Sequence, residues 1–172
     1  MNGAQMIAFT FEMSDGLVRR ALKGLTDEDL MKRPSDQDNP IGWLMWHKTR
    51  VEDCAFAAVA GEEQVWIAGK WHERFDLGAE PKQIGFGDSL EQVMRLKCTK
   101  ENVVGYANAV RERTLITLEA LSAEDLEREM TDIGGNAIKT GDYLGRVATD
   151  YHHHSGQICY LRGFITGFGW AF

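Results

Sequence analysis

The chain has 172 residues, with 26 acidic against 19 basic side chains and a formal net charge of −7. That length suits one domain, residues 1–172, around a single core; 44% hydrophobic and 26% charged residues exclude a disordered chain. The acidic balance excludes a nucleic-acid groove or a polybasic membrane patch, both of which need concentrated Lys and Arg.

In chain order, Met6, Phe9, Met13, Leu17 and Ala21 recur at spacings of three and four, with Ile7, Phe11, Val18 and Leu22 beside them. This predicts a broad-faced, buried first helix that stops near Gly24. In LTDEDLMKRPSDQDNP, Thr26 caps a short turn with Asp29 three residues on. Asn39 followed by Pro40 is a helix start, a cap residue and then proline at the first helical position. It predicts a second long helix from about Pro40 to Ala60, ended by Gly61. Residues 62–88 hold four Gly, one Pro, two Trp and two Phe. They predict a long excursion with a short helix, packed by its aromatics and walling a pocket. Ser89 and Gln92 form a capping box opening a third helix that continues to about Leu121. LSAEDLEREM then echoes LTDEDLMKRP, which suggests two related helix pairs. Thr140 caps a fourth helix from about Gly141 to Ile165, with Asp142 in its first turn. The apolar tail GFITGFGWAF is expected to dock on the bundle or on a second subunit. Four helices without period-two runs give an all-α fold, an antiparallel four-helix bundle.

Cys54, Cys98 and Cys159 are widely spaced and form no C-x-x-C pair. They are expected to be small core residues rather than disulfides or a cysteine zinc site, in a reducing compartment. The sequence shows neither a signal peptide nor an apolar run of about 18 residues, so a soluble, cytoplasmic protein is expected.

The five histidines separate by helical phase. On the fourth helix Leu144, Val147, Tyr151, His154, Ile158, Leu161 and Ile165 are spaced 3, 4, 3, 4, 3, 4, which is an inward seam containing His154. Asp150 lies roughly 40° from His154 and one turn earlier; His153 and His152 lie roughly 120° and 140° away and should reach solvent. On the second helix Leu44, His47, Val51, Ala55 and Ala58 form another buried stripe. Two inward histidines and one flanking carboxylate could share a divalent metal, a site that bundles do build, with a coordination position left open. The same pattern also fits hydrogen-bonded core histidines with Asp150 paired to Arg50 or Arg146, and spacing leaves both readings open.

PIGWLMWHKTRVED and HHHSGQICYLRG resemble the DinB superfamily, and with the LTDEDL-type turn the resemblance covers almost the whole chain. It implies an up-down-down-up bundle, a homodimer and a divalent metal, commonly zinc or nickel, held by three histidines. The first ligand matches His47 and the last, in the HH-x-G-Q run, matches His154. Four residues earlier the usual pattern has His where this chain has Asp150. The related mycothiol-dependent isomerases place a carboxylate there, so the resemblance implies a His47–Asp150–His154 metal triad. It further implies thiol-dependent transfer or isomerisation of a small-molecule substrate. The cosubstrate would be a low-molecular-weight thiol such as mycothiol, bacillithiol or glutathione, its thiolate stabilised by the metal. Two alternatives stand beside this. One is a non-catalytic, stress-associated metal- or small-ligand-binding protein. The other is a dimeric bundle that lost its metal when Asp150 replaced His and works through the apolar tail of Phe164, Phe168, Trp170 and Phe172. Arg50, Arg162, Trp46 and His72 are expected to pack or face solvent rather than act.

Overall fold

The computed structural model describes residues 1–170 and is mostly helical. Helix α1 (Gly3–Leu22) opens on an Asn2–Gln5 capping box and ends just before Gly24. The short α2 (Asp27–Leu30) is capped by Thr26 and Asp29, as expected. Helix α3 (Ile41–Ala60) ends on a left-handed Gly61, but Pro40 rather than Asn39 takes the cap position, so Asn39 lies outside the helix. Two short helices, α4 (Val65–Ala68) and α5 (Trp71–Arg74), interrupt the excursion.

The expected third helix is in fact two. Helix α6 (Leu90–Arg95) starts on the Ser89–Gln92 box, the backbone turns extended at Leu96, and the Thr99 hydroxyl accepts from Asn102 N to start α7 (Lys100–Ala120). A second cap outcompetes continuous helix because it satisfies a donor that a new helix end would otherwise orphan. Helix α8 (Ala123–Glu127) opens on a Ser122–Asp125 box, so the LTDEDL/LSAEDL echo is a repeated capping motif. An antiparallel hairpin of β1 (Glu129–Thr131) and β2 (Ala137–Lys139), with Met130 opposite Ile138, leads into α9 (Thr140–Thr166). Lys139 occupies the α9 cap position, and Thr140 Oγ1 instead donates to Arg128 O at 3.0 Å.

Helix α3 packs on both α7 and α9, and α1 packs on α9 and α7. As the central element α3 buries 17 of its 20 residues. One apolar cluster gathers Leu22, Leu30, Trp46, Trp66, Phe75, Tyr106 and Ile158; a second gathers Phe11, Phe56, Leu118, Leu144 and Tyr151. A buried charged layer accompanies them. Arg111 reaches Glu52 and Asp15, each at 3.1 Å, and the Thr114 hydroxyl donates to Glu52 at 2.6 Å. Lys48 Nζ sits 3.6 Å from the Tyr151 ring centroid, and burial pulls its ammonium down to about 7. Such layers survive in a core only when each charge has an opposite neighbour.

Helix α1 departs from the expected broad buried face. Ala4, Phe11, Val18, Ala21 and Leu22 point inward, whereas Met6, Phe9, Met13 and Leu17 are 43–57% exposed. The helix is apolar on two sides, and its neighbours cover only one. In the tail, Trp170 packs on the first cluster while Phe164 and Phe168 are exposed; Phe172 lies outside the described residues. Among the described residues no helix is long and apolar enough to cross a membrane.

Candidate metal centre

The seam of α9 buries Leu144, Val147, Tyr151, Ile158 and Leu161, which fixes the rotation of the helix about its axis. Asp150 and His154 follow on the edge of that seam, one turn apart, with His154 Nε2 3.4 Å from Asp150 Oδ1. Helix α3 presents His47 opposite them. The His47 and His154 rings are perpendicular with centroids 4.7 Å apart. One donor atom from each of His47, Asp150 and His154 lies within 4.8 Å of the others, so the cluster could hold a metal ion. These are the three residues that helical phase and the family resemblance both single out.

The hydrogen bonds around the histidines fix which nitrogen is free. His47 Nδ1 donates to the Ile84 carbonyl, and His154 Nδ1 donates to Gln157 Oε1 at 2.8 Å. With Nδ1 protonated in both rings, each Nε2 keeps its lone pair for a ligand, which is the usual outer-shell arrangement of metal-binding histidines. Asp150 Oδ2 is buried and accepts no hydrogen bond. An orphaned carboxylate oxygen is costly to bury, and a cation held beside it would relieve that cost. The donor set of two imidazoles and one carboxylate suits a divalent transition metal.

Charge in the site is unevenly held. Burial lowers the pKa of His47, only partly offset by its bond to Ile84 O. Burial acts on His154 in the same direction, but the hydrogen bonds to Asp150 and Gln157 outweigh it and raise its pKa. Asp150 resists the upward push of burial and ionises below its ordinary range, because His154, His47 and His153 all favour the carboxylate.

The excursion completes the site. Arg50 is fully buried and belongs to it, not to Asp150. Its guanidinium donates to Gln83 O, Pro81 O and Gln64 Oε1, each at 3.0 Å, and pairs with Asp53 at 3.3 Å. Asp53 in turn accepts from Val65 N, Trp66 N and the Tyr106 hydroxyl. The pair thus fastens both ends of the segment, and the segment delivers Ile84 to His47. Gly85 allows the passage. It has φ +85°, and a Cβ there would lie 2.7 Å from Trp46 and 2.8 Å from Trp43, so only glycine fits. A cavity of about 320 Å³ opens onto the triad, walled by Asn39, Trp43, Gly85, Phe86, Asp88 and Gln157.

The remaining histidines lie elsewhere. His153 is exposed. His152, expected to reach solvent, is half-buried between α1 and α9, hydrogen-bonded to Ser14 Oγ at 2.9 Å and edge-on to Phe11. His72 packs against Trp66. Trp46 is buried against Trp66. Trp43, which stacks face to face on His47 with centroids 4.7 Å apart, was missed by the phase argument. So was Gln157. Both had a signal, four residues before His47 and three after His154, which are same-face spacings on a helix. The Ile84 carbonyl had none.

The DinB superfamily pattern matches residues 10–158. The chain belongs to the DinB superfamily. Among solved structures, the crystal structure of a conserved protein from Enterococcus faecalis is similar to this DinB chain, with a TM-score of 0.86. The two are 22% identical over 98% of this chain and 99% of that one, which establishes likeness of fold. No curated protein matches the sequence.

Proposed function

We infer that this DinB-superfamily chain is a metal-dependent thiol S-transferase, or a related isomerase or hydrolase, acting on a small molecule from a single cytoplasmic domain. His47, Asp150 and His154 are its metal ligands, and the metal is zinc or nickel. The observation carrying this reading is the pair of Nδ1 locks, which leave both Nε2 lone pairs free in a cluster whose three donor atoms lie within 4.8 Å of one another, beside a carboxylate with one unpartnered oxygen. Bound there, a divalent metal supplies Lewis acidity that favours the thiolate of a low-molecular-weight thiol over its protonated form. The protein's own contribution is to hold the two imidazoles in one tautomer, shield His47 under Trp43, and confine the reactants between Phe86 and Gln157. In the transfer, the thiol loses its proton, a sulfur–carbon bond forms to the electrophile, and the leaving group departs as its conjugate acid. Asp88 is the carboxylate of the wall outside the triad and offers an acceptor for that proton.

The four long helices are proposed to follow the up-down-down-up order of the family. The chain is also proposed to be a homodimer. The exposed stripe of Met6, Phe9, Met13 and Leu17 supports this, because large apolar side chains grouped on one face mark association surfaces.

Elemental analysis of protein purified without added metal is expected to return about one zinc or nickel per chain, lost in His47→Ala and Asp150→Ala. Stoichiometric metal in either variant overturns the triad. Metal-loaded protein mixed with a thiol and a chlorobimane should form the thioether faster than metal-free protein; equal rates with every thiol refute the transferase reading.

A further inference from the structure

The cavity over the triad does not end at Gln157. Asn39 and Gln157 also wall a second cavity of about 460 Å³, bounded by the 34–39 loop and the exposed side of α9. The two adjoin across these shared residues, and their sizes suit a ligand much larger than its reacting atom. We propose that this outer cavity binds the tail of the substrate whose reactive group lies at the triad, and that the tail is hydroxyl- and amide-bearing without negative charge. The assignment rests on the metal-centre reading above and deepens it.

The lining carries the argument. Gln37, Asp38, Asn39, Gln157 and Tyr160 supply donors and acceptors over a floor that includes Leu44 and Leu161. Amides, a phenol and a carboxylate beside apolar carbon are what hydroxyls and amides pair with. The Gln157 carbonyl is committed to His154, so its amide NH₂ remains for an acceptor on the tail. No Lys or Arg lines either cavity, while Asp38, Asp88 and Asp150 do. Asp38 is held at the rim by Ser35 Oγ, which donates to Oδ2 at 2.7 Å and leaves Oδ1 for the ligand. Arg33, beside Pro34 of the rim, pairs with Asp36, and Lys82 lines a different depression that Phe86 also lines. A carboxylate on the tail within roughly 6 Å of Asp38 would meet repulsion of about threefold to a hundredfold in affinity at effective dielectrics of about 80 to 20, about tenfold midway.

The test uses the cobalt-substituted full chain and two thiols that differ in one group, 1-thio-β-D-glucose and 1-thio-β-D-glucuronate. Thiolate binding is followed by the sulfur-to-cobalt charge-transfer absorption, a readout independent of turnover. Thioglucose is expected to bind about tenfold more tightly. In Asp38→Asn, an exposed loop change that leaves the triad intact, the ratio should fall to within about threefold. Equal or tighter binding of thioglucuronate overturns the tail assignment, as does an unchanged ratio in Asp38→Asn. Cobalt uptake with no thiolate band from either probe refutes the thiol reading instead, and no cobalt uptake refutes the metal centre, so the three failures are distinct.

Discussion

The link between the excursion and the metal centre is open to a single-methyl test at Gly85. Gly85→Ala adds a Cβ at φ +85°, which costs roughly 1–2 kcal/mol for an L-residue in the left-handed region. The same atom would overlap Trp46 and Trp43 at 2.7 and 2.8 Å, and overpacking of this kind costs about 1–3 kcal/mol more. Neither indole can yield easily, because both are buried and Trp43 is stacked on His47. The loop must therefore lift, and Ile84 O leaves His47 Nδ1. Loss of an outer-shell partner weakens metal affinity by about 10–100-fold. Gly87→Ala is the matched control: its φ is +81°, but nothing lies within 4 Å of the added Cβ. It should show the backbone cost alone, a fall in Tm of roughly 3–6 °C in the metal-free protein, with metal affinity unchanged. Gly85→Ala should lose roughly 5–15 °C and its zinc affinity in a chelator competition. Equal zinc affinity in the two variants would refute the claim that Ile84 positions His47.

Arg50→Met should destabilise by about 3–5 kcal/mol, read in urea, because it strands buried Asp53; Arg95→Met, at an exposed pair, should stay within about 0.5 kcal/mol. Zinc affinity should fall as pH drops through the His154 pKa, which lies above the ordinary 6.5, since the imidazolium cannot coordinate; a flat profile between pH 8 and 6 contradicts this. In the metal-free protein the sign reverses: the His154–Asp150 pair stabilises the fold below about 6.5, and that contribution disappears as pH rises through the raised His154 value. Cys54, pushed up to about 11 by burial, should resist a disulfide reagent at pH 8 in the native state and react in denaturant; prompt native labelling contradicts its burial. Phe9→Glu with Met13→Glu should convert a sedimenting dimer into a folded monomer with unchanged helical content, because both side chains are exposed within one chain, and should remove the concentration dependence of Tm.

Phase was most informative where a helix has one covered side. On α9 the seam separated His154 and Asp150 from His153, because polar residues occupy the far face. On α3 the same calculation had little to separate, since Trp46, Lys48, Arg50, Glu52 and Asp53 are buried off the predicted stripe. The polar groups of Arg50, Glu52 and Asp53 are satisfied by partners from other elements, Arg111, Thr114, Tyr106 and the excursion, which no periodicity within α3 encodes, while Trp46 Nε1 and Lys48 Nζ are buried without a hydrogen-bond partner. On α1 two apolar sides compete, and the choice between them belongs to the packing of α7 and α9. The capping boxes at Thr26, Ser89 and Ser122 were legible because a cap is local chemistry between residues three apart.

The same distinction runs through the site itself. His154 takes its tautomer from Gln157, three residues along the same helix, so its lock survives whatever the excursion does. His47 takes its tautomer from a carbonyl 37 residues away, carried on a segment that Arg50 and Asp53 fasten and Gly85 lets pass. The two imidazoles are therefore not equivalent candidate ligands. Loosening the segment is expected to release His47 alone, leaving Asp150 and His154 paired with each other, and to lower metal affinity without disturbing the helix that carries two of the three candidate donors.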